Sequence, residues 1–249
     1  MLPLADKVVL ITGSARRVGA AAARLLHGAG ARIVLHYRHA AREAASLSDE
    51  LNAARAESAA LVQADLLQLE RIEQLAKDSV AAFGRLDGLI NNASSFFATP
   101  FGSVTMGQWD DLVGSNLRAP FFLSQAAAPH LRASRGAIVN ISDIHAERPL
   151  KEHLVYSVAK AGLNGLTRAL ALELAPEVRV NGIAPGPVLW PEDQGVFVEA
   201  ERDRIVAQTL LGHVGSPEDI ARTILFLMAD APYVTGQIIS VDGGRCVTL

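Results

Sequence analysis

Tyr156 and Lys160 stand four positions apart in Tyr156-Ser157-Val158-Ala159-Lys160, a spacing that makes them neighbours on one face of a helix. A free phenol has a pKa of about 10, too high to give and recover protons quickly at neutral pH. A nearby ammonium would lower it by favouring the phenolate, so the pair reads as a proton donor tuned by a cation. The same spacing also describes an ordinary surface pair. The small residues around and after it, Ala159, Ala161, Gly162 and Gly165, favour the chemical reading because they let the helix pack closely.

A second constellation lies near the start of the chain, in Thr12-Gly13-Ser14-Ala15-Arg16-Arg17-Val18-Gly19. Small residues after a strand let the backbone approach a pyrophosphate, and the helix that follows aims its N–H groups and positive dipole end at it. Gly13, Arg16, Arg17, Val18 and Gly19 are therefore candidate cofactor contacts, although a glycine pair of this spacing can also be a plain strand-to-helix connection. An NAD enzyme usually carries an acid at the end of the second strand. Here that strand ends His36-Tyr37-Arg38-His39, without Asp or Glu. Arg38, with Arg16 or Arg17, could hold a 2′-phosphate; charge-assisted hydrogen bonds contribute roughly 1.5–3 kcal/mol each. The alternative is a solvated basic turn. NADPH is the expected cofactor, with His36, Tyr37 and Arg38 at its adenosine end. Asp65-Leu66 closes the third strand, where a carboxylate could accept from the adenine amino group or simply cap the next helix.

These residues need a framework to position them. Short apolar runs alternate with helical stretches rich in Ala and Leu. Strands are predicted at Val8–Thr12, Ile33–Tyr37, Ala60–Asp65, Leu86–Asn91, Ala137–Ser142, Arg179–Ala184 and Gln237–Val241, and helices at Arg17–Gly28, Ala41–Ala56, Leu69–Phe83, Leu112–Ala133 and Leu154–Leu174. Ser216-Pro217-Glu218-Asp219 reads as another helix start, with an N-cap serine, a first-turn proline and acids. Residues from Pro185 to about 215 read as a substrate loop. The pattern predicts one α/β domain of Rossmann type, a doubly wound, parallel, seven-stranded sheet with helices on both faces.

Composition is consistent with that domain. Of 249 residues, half are apolar and a fifth charged, enough for a large core without a membrane. The net charge of -3 gives no pull toward nucleic acid or anionic lipid, and scarce aromatics make a poor base-stacking platform. A single cysteine, Cys246, and no evident signal or spanning segment lead us to expect a cytoplasmic protein.

Taken in order, Gly13…Gly19, Asn91-Asn92-Ala93, Asn116, Tyr156…Lys160, Arg179-Val180-Asn181, Pro185-Gly186 and Val241-Asp242-Gly243-Gly244 resemble the short-chain dehydrogenase/reductase family across essentially the whole chain. The resemblance implies that Tyr156 is the proton donor and that Lys160 tunes it and holds the nicotinamide ribose. It implies that Asn116 supports a proton-relay water, that Asn92, Ala93, Pro185 and Gly186 lie along the cofactor, and that long helices pair into a homotetramer.

Most members carry a serine 13 residues before the tyrosine; here that position is Asp143. An anion there would repel a developing alkoxide, whereas it suits a nitrogen heterocycle protonated on its ring. Neighbouring Ser142 could still supply the usual hydroxyl in a shifted register. Arg17, the His36-Tyr37-Arg38 strand end, and Ser94 with Phe96 in Asn91-Asn92-Ala93-Ser94-Ser95-Phe96 resemble the pteridine reductases within the family. That implies Arg17, Ser94, Phe96, Asp143, Tyr156 and Trp190 as substrate contacts, Phe96 stacking the pterin, although Phe96 could also be core packing and Trp190 an interface residue. The order Arg38-His39 is the reverse of the His-Arg of the protozoan enzymes. The expected reaction is hydride transfer to a C=N bond of a dihydropterin, or of an oxidised pterin or dihydrofolate. The rival readings are a carbonyl reductase for a thioester, sugar or steroid, and an NADP-sensing protein without turnover.

Overall fold

The computed structural model describes residues 2–189 and 199–247. Seven parallel strands form one sheet in the order β3-β2-β1-β4-β5-β6-β7: β1 (Val8–Ile11), β2 (Arg32–Tyr37), β3 (Ala59–Gln63), β4 (Gly88–Asn91), β5 (Ala137–Ile141), β6 (Arg179–Pro185) and β7 (Ile238–Val241). Side chains of a strand alternate between faces, and here both faces are covered. Val9, Ile11, Ile33, Leu35, Ile90 and Ile183 pack on one side against α1 (Arg17–Gly28), α2 (Ala41–Ala54) and α8 (Pro217–Leu225). Val8, Leu10, Val34, Leu89, Ile138 and Val180 pack on the other against α3 (Leu69–Phe83), α5 (Ala119–Ser134) and α6 (Leu154–Leu174). That double burial explains why the strands read as near-continuous apolar runs. The predicted α/β sheet is the observed one.

Two departures from the predicted elements matter for the site. The fourth helical region begins at α4 (Met106–Val113), capped by Thr105 in a reciprocal box with Gln108, and passes through a π-helical turn at Gly114–Arg118 before α5 begins. π-turns insert an extra residue into the ladder and often occur at functional sites; this one carries Asn116. The span read as loop contains a helix, α7 (Glu199–Ala207). Among the described residues no helix is long and apolar enough to cross a membrane.

The strand order reverses direction between β1 and β4. Crevices at the carboxyl ends of strands beside such a reversal are where open α/β sheets bind ligands. The ends of β1, β4 and β5 are tied together there. Thr12 Oγ1 accepts from the backbone N–H of Asn92 and of Ala93 at 2.9 and 3.0 Å, and Asn91 Nδ2 donates to Asn140 Oδ1 at 2.8 Å.

Candidate active site

The glycine turn after β1 is shaped for close approach. Gly13 sits at φ 62°, in the left-handed region that glycine tolerates best, and a Cβ at Gly19 would collide with the Gly13 carbonyl. The first turn of α1 has no acidic residue, and its N-cap, Arg16, makes no side-chain cap; the helix therefore keeps its positive end for a ligand. Arg17 also holds a positive φ, 51°, uncommon for a non-glycine residue and frequent at ligand sites. Its guanidinium donates to the Leu189 carbonyl at 3.1 Å.

His36 acts behind the turn. It is 2% exposed, accepts the Gly13 N–H on Nδ1 at 3.1 Å and meets the Ala64 carbonyl with Nε2 at 3.1 Å. Its ring is thus the Nε2-protonated neutral tautomer. Burial lowers its pKa to about 4, partly offset by the Ala64 carbonyl and by Asp65. Arg38 reaches Asp65 at 3.8 Å, and Arg16 pairs with Glu43 on α2.

The turn opens into a cavity of about 780 Å³, within the range of small-molecule sites. It runs from the Arg38–Asp65 pair past Asn92 and Ala93 to Asp143, Tyr156 and Lys160, with Leu66, Val18, Pro185 and Gly186 on its wall. A dinucleotide fits this cradle: a phosphate-sized approach at Gly13 and Gly19, cations at one end, reactive side chains at the other. Two of the expected site residues that are described do not line it. Tyr37 and Asn116 are absent from the wall, and Trp190 lies outside the described residues.

At the reactive end, Tyr156 Oη donates to Asp143 Oδ2 at 2.7 Å. The other carboxylate oxygen caps the short turn after β5, accepting from the His145 N–H at 2.8 Å. Ser142 also borders the cavity, but it is buried, and its hydroxyl donates to Asn164 Oδ1 at 2.5 Å. The Ser142 hydroxyl is thus committed to Asn164 while the Asp143 carboxylate takes the contact with Tyr156, which favours Asp143 over the shifted-register alternative.

The expectation that Lys160 depresses the Tyr156 pKa is corrected. The phenol is raised well above its ordinary value, first by burial and then by the Asp143 charge and hydrogen bond; Ser94 opposes the shift weakly. The Lys160 ammonium donates to the Ile141 carbonyl at 2.8 Å and is lowered to about 8 by burial, with Asp143 opposing.

Asn116 sits one layer back. Its amide protons go to the Ser95 and Leu112 carbonyls at 2.9 Å each, and its Oδ1 accepts from the Ser94 hydroxyl at 2.6 Å. Phe96 is 38% exposed, so the core-packing alternative does not describe it. It stacks on His153 at 4.6 Å and meets the Tyr156 ring edge-on at 4.9 Å. The sequence reading missed His145, Arg204 and Arg245, which also line the cavity. They come from a capped turn, from α7 and from the segment after β7, and only the Gly243-Gly244 turn before Arg245 hinted at the chain's return.

The family model described as enoyl-(acyl carrier protein) reductase matches residues 13–245. The chain is 36% identical to pteridine reductase 1 of Leishmania tarentolae, over 97% of this chain and 96% of the relative. It is 35% identical to 3beta-hydroxysteroid dehydrogenase 1 of Eggerthella lenta, over 97% and 94%, and 34% identical to a probable galactose dehydrogenase of Rhizobium meliloti, over 97% and 95%. With the parallel sheet, the glycine turn and the Tyr156–Lys160 pair in place, these matches make the chain a member of the short-chain dehydrogenase/reductase family of oxidoreductases.

Proposed function

We propose that the chain is an NADPH-dependent pteridine reductase, which reduces a C=N bond of a dihydropterin and, on the same ring system, of oxidised pterin or dihydrofolate. The observation that carries this reading is the 2.7 Å hydrogen bond from Tyr156 to Asp143 inside the cavity. An alkoxide growing there would meet a carboxylate. A ring nitrogen is served differently: its protonated, iminium form gains from a neighbouring anion, and that form is the better hydride acceptor.

The bound nicotinamide supplies the hydride. Tyr156, kept protonated by burial and by Asp143, delivers the proton from Oη to the ring nitrogen. Asp143 orients the phenol and stabilises positive charge on that nitrogen. Lys160 sets its ammonium beneath the phenol ring, 5.6 Å from the ring centroid, and holds the ribose. Asn116 anchors the Ser94 hydroxyl, and Phe96 offers a ring backed by His153 for stacking a flat heterocycle. Arg17 and Ser94 border the same space as substrate contacts.

The cofactor choice rests on Arg38 and Arg16 and on the lack of an acid at the end of β2. A homotetramer is proposed as well. Trp109, Phe121, Leu154, Val158 and Leu172, on α4, α5 and α6, are exposed and would be covered between copies.

The similar identity to a steroid and a sugar dehydrogenase favours a carbonyl reductase as the second reading. NADPH consumption measured side by side with dihydrobiopterin, dihydromonapterin, dihydrofolate and an acetoacetyl thioester separates the two. Turnover of a dihydropterin supports the proposal. Turnover of the thioester alone replaces it with the carbonyl reading, and failure to oxidise NADPH with any of the four leaves only a binding protein.

A further inference from the structure

Around Tyr156 the cavity offers a substrate acceptors more than hydroxyl donors. Tyr156, Ser94, Ser142 and Ser115 all border it, and each has its proton engaged inside the protein. Tyr156 donates to Asp143, Ser94 to Asn116 Oδ1, Ser142 to Asn164 Oδ1 and Ser115 to the Asp111 carbonyl. The His145 N–H goes to the other Asp143 oxygen, and the Lys160 ammonium is turned to the Ile141 carbonyl. What remains for a ligand is an edge formed by the Asp143 carboxylate and the lone pairs of the Tyr156 oxygen.

An aromatic ring stands beside that edge. Phe96 lines the same cavity and meets the Tyr156 ring edge-on at 4.9 Å; His153, stacked on Phe96 at 4.6 Å, backs it without forming part of the wall. A carbonyl oxygen needs donors as its charge grows, and these hydroxyls are committed. A flat cation needs none, and both a carboxylate and an aromatic face attract it.

We infer that the site also reduces cyclic iminium ions whose nitrogen is already alkylated, a substrate class outside the pterins; this rests on the proposed service of Asp143 and Tyr156 to a ring nitrogen. The iminium carbon takes the hydride of NADPH and forms a C–H bond, the C=N π pair becomes the nitrogen lone pair, and the products are a tertiary amine and NADP⁺. No proton is consumed, so the hydrogen bond from Tyr156 to Asp143 stays in place. Because hydride transfer erases the positive charge, Asp143 holds the bound cation more than the transition state, and its contribution belongs to KM. Arg17, Arg204 and Arg245 also line the cavity and work against a cation. Arg17 is engaged with the Leu189 carbonyl at 3.1 Å and Arg245 with Gln208 Oε1 at 3.5 Å; contact with Asp143 and Phe96, not the net charge of the wall, selects the substrate.

NADPH oxidation by N-methyl-3,4-dihydroisoquinolinium, measured above the rate without protein and beside dihydrobiopterin, tests this, together with calorimetry on the NADP⁺-loaded protein. Iminium turnover is expected. Tyr156→Phe should keep it while dihydrobiopterin turnover falls ~100-fold or more, and Asp143→Asn should raise the iminium KM about tenfold without lowering kcat. In calorimetry, N-methylisoquinolinium should bind about tenfold more tightly than isoquinoline, which is uncharged at pH 7.5, and Asp143→Asn should bring the two together. Dihydrobiopterin turnover without iminium turnover overturns the inference and leaves the pteridine reading standing. Equal affinities of the two ligands, or an iminium reaction lost in Tyr156→Phe, overturn it in the same way. Iminium turnover without dihydropterin turnover keeps the inference and removes the pteridine reading; turnover of neither removes both.

Discussion

Lys160 holds its charge in an environment that resists it. Burial brings its pKa to about 8, so the ammonium is present below that pH and is lost as pH rises through it. Activity should therefore fall above about pH 8, roughly tenfold per unit once the neutral amine dominates. A pH–kcat profile checks this, and a flat profile from pH 7 to 10 would contradict the assigned role. His36 shifts in the same direction for the same leading reason, with a different consequence. Its folded pKa of about 4 lies below the unfolded value near 6.5, so the unfolded chain takes up a proton that the folded chain refuses. Its contribution to stability is complete above about pH 6.5 and declines toward pH 4, by up to about 3 kcal/mol. Denaturant titrations at pH 4.5 and 7 should show that difference shrinking in His36→Asn; an unchanged difference would remove His36 from the account. Residue types made much of this site legible: Tyr156 and Lys160 stand out by identity and spacing, and Asp143 and Phe96 by the family resemblance. The direction of the Tyr156 shift was not, because spacing reveals a neighbouring cation but not the depth at which both groups are buried.

At the scale of elements, the strands were readable because a sheet covered on both faces leaves apolar runs bounded by turns. The fourth helical region was only half readable. Its start at Thr105 had a signal in the Thr105–Gln108 capping box, but a π-turn at Asn116 has no sequence signature of its own. Similarly, α7 was hidden in a stretch whose charged residues gave no apolar stripe. The end of β2 and the glycine turn act as one unit, since the His36 ring joins Gly13 to the end of β3 while Arg38 stands exposed at the rim. Removing that exposed cation should leave the turn intact and change only the cofactor preference. In Arg38→Ala the ratio of kcat/KM for NADPH over NADH should fall by at least about tenfold, and an unchanged ratio would assign the 2′-phosphate to Arg16 or Arg17.

At the scale of the molecule, the reversal of strand order between β1 and β4 collects residues from the whole chain into one cleft, from Gly13 to Arg245. Cavity-lining residues so far apart in sequence explain why Arg204 and Arg245 escaped a reading by local motifs. The exposed apolar side chains on α4 to α6 predict assembly: light scattering after size exclusion should give four times the chain mass of 26.4 kDa, and a stable monomer would contradict it. The central claim remains a carboxylate and a phenol sharing one hydrogen bond in the service of a ring nitrogen. Its most direct test is kcat/KM for dihydrobiopterin and for an acetoacetyl thioester, in the parent protein and in Asp143→Ser. The account predicts that the substitution lowers dihydropterin turnover roughly 100-fold or more while thioester turnover holds or rises; undiminished pterin turnover in Asp143→Ser would contradict it.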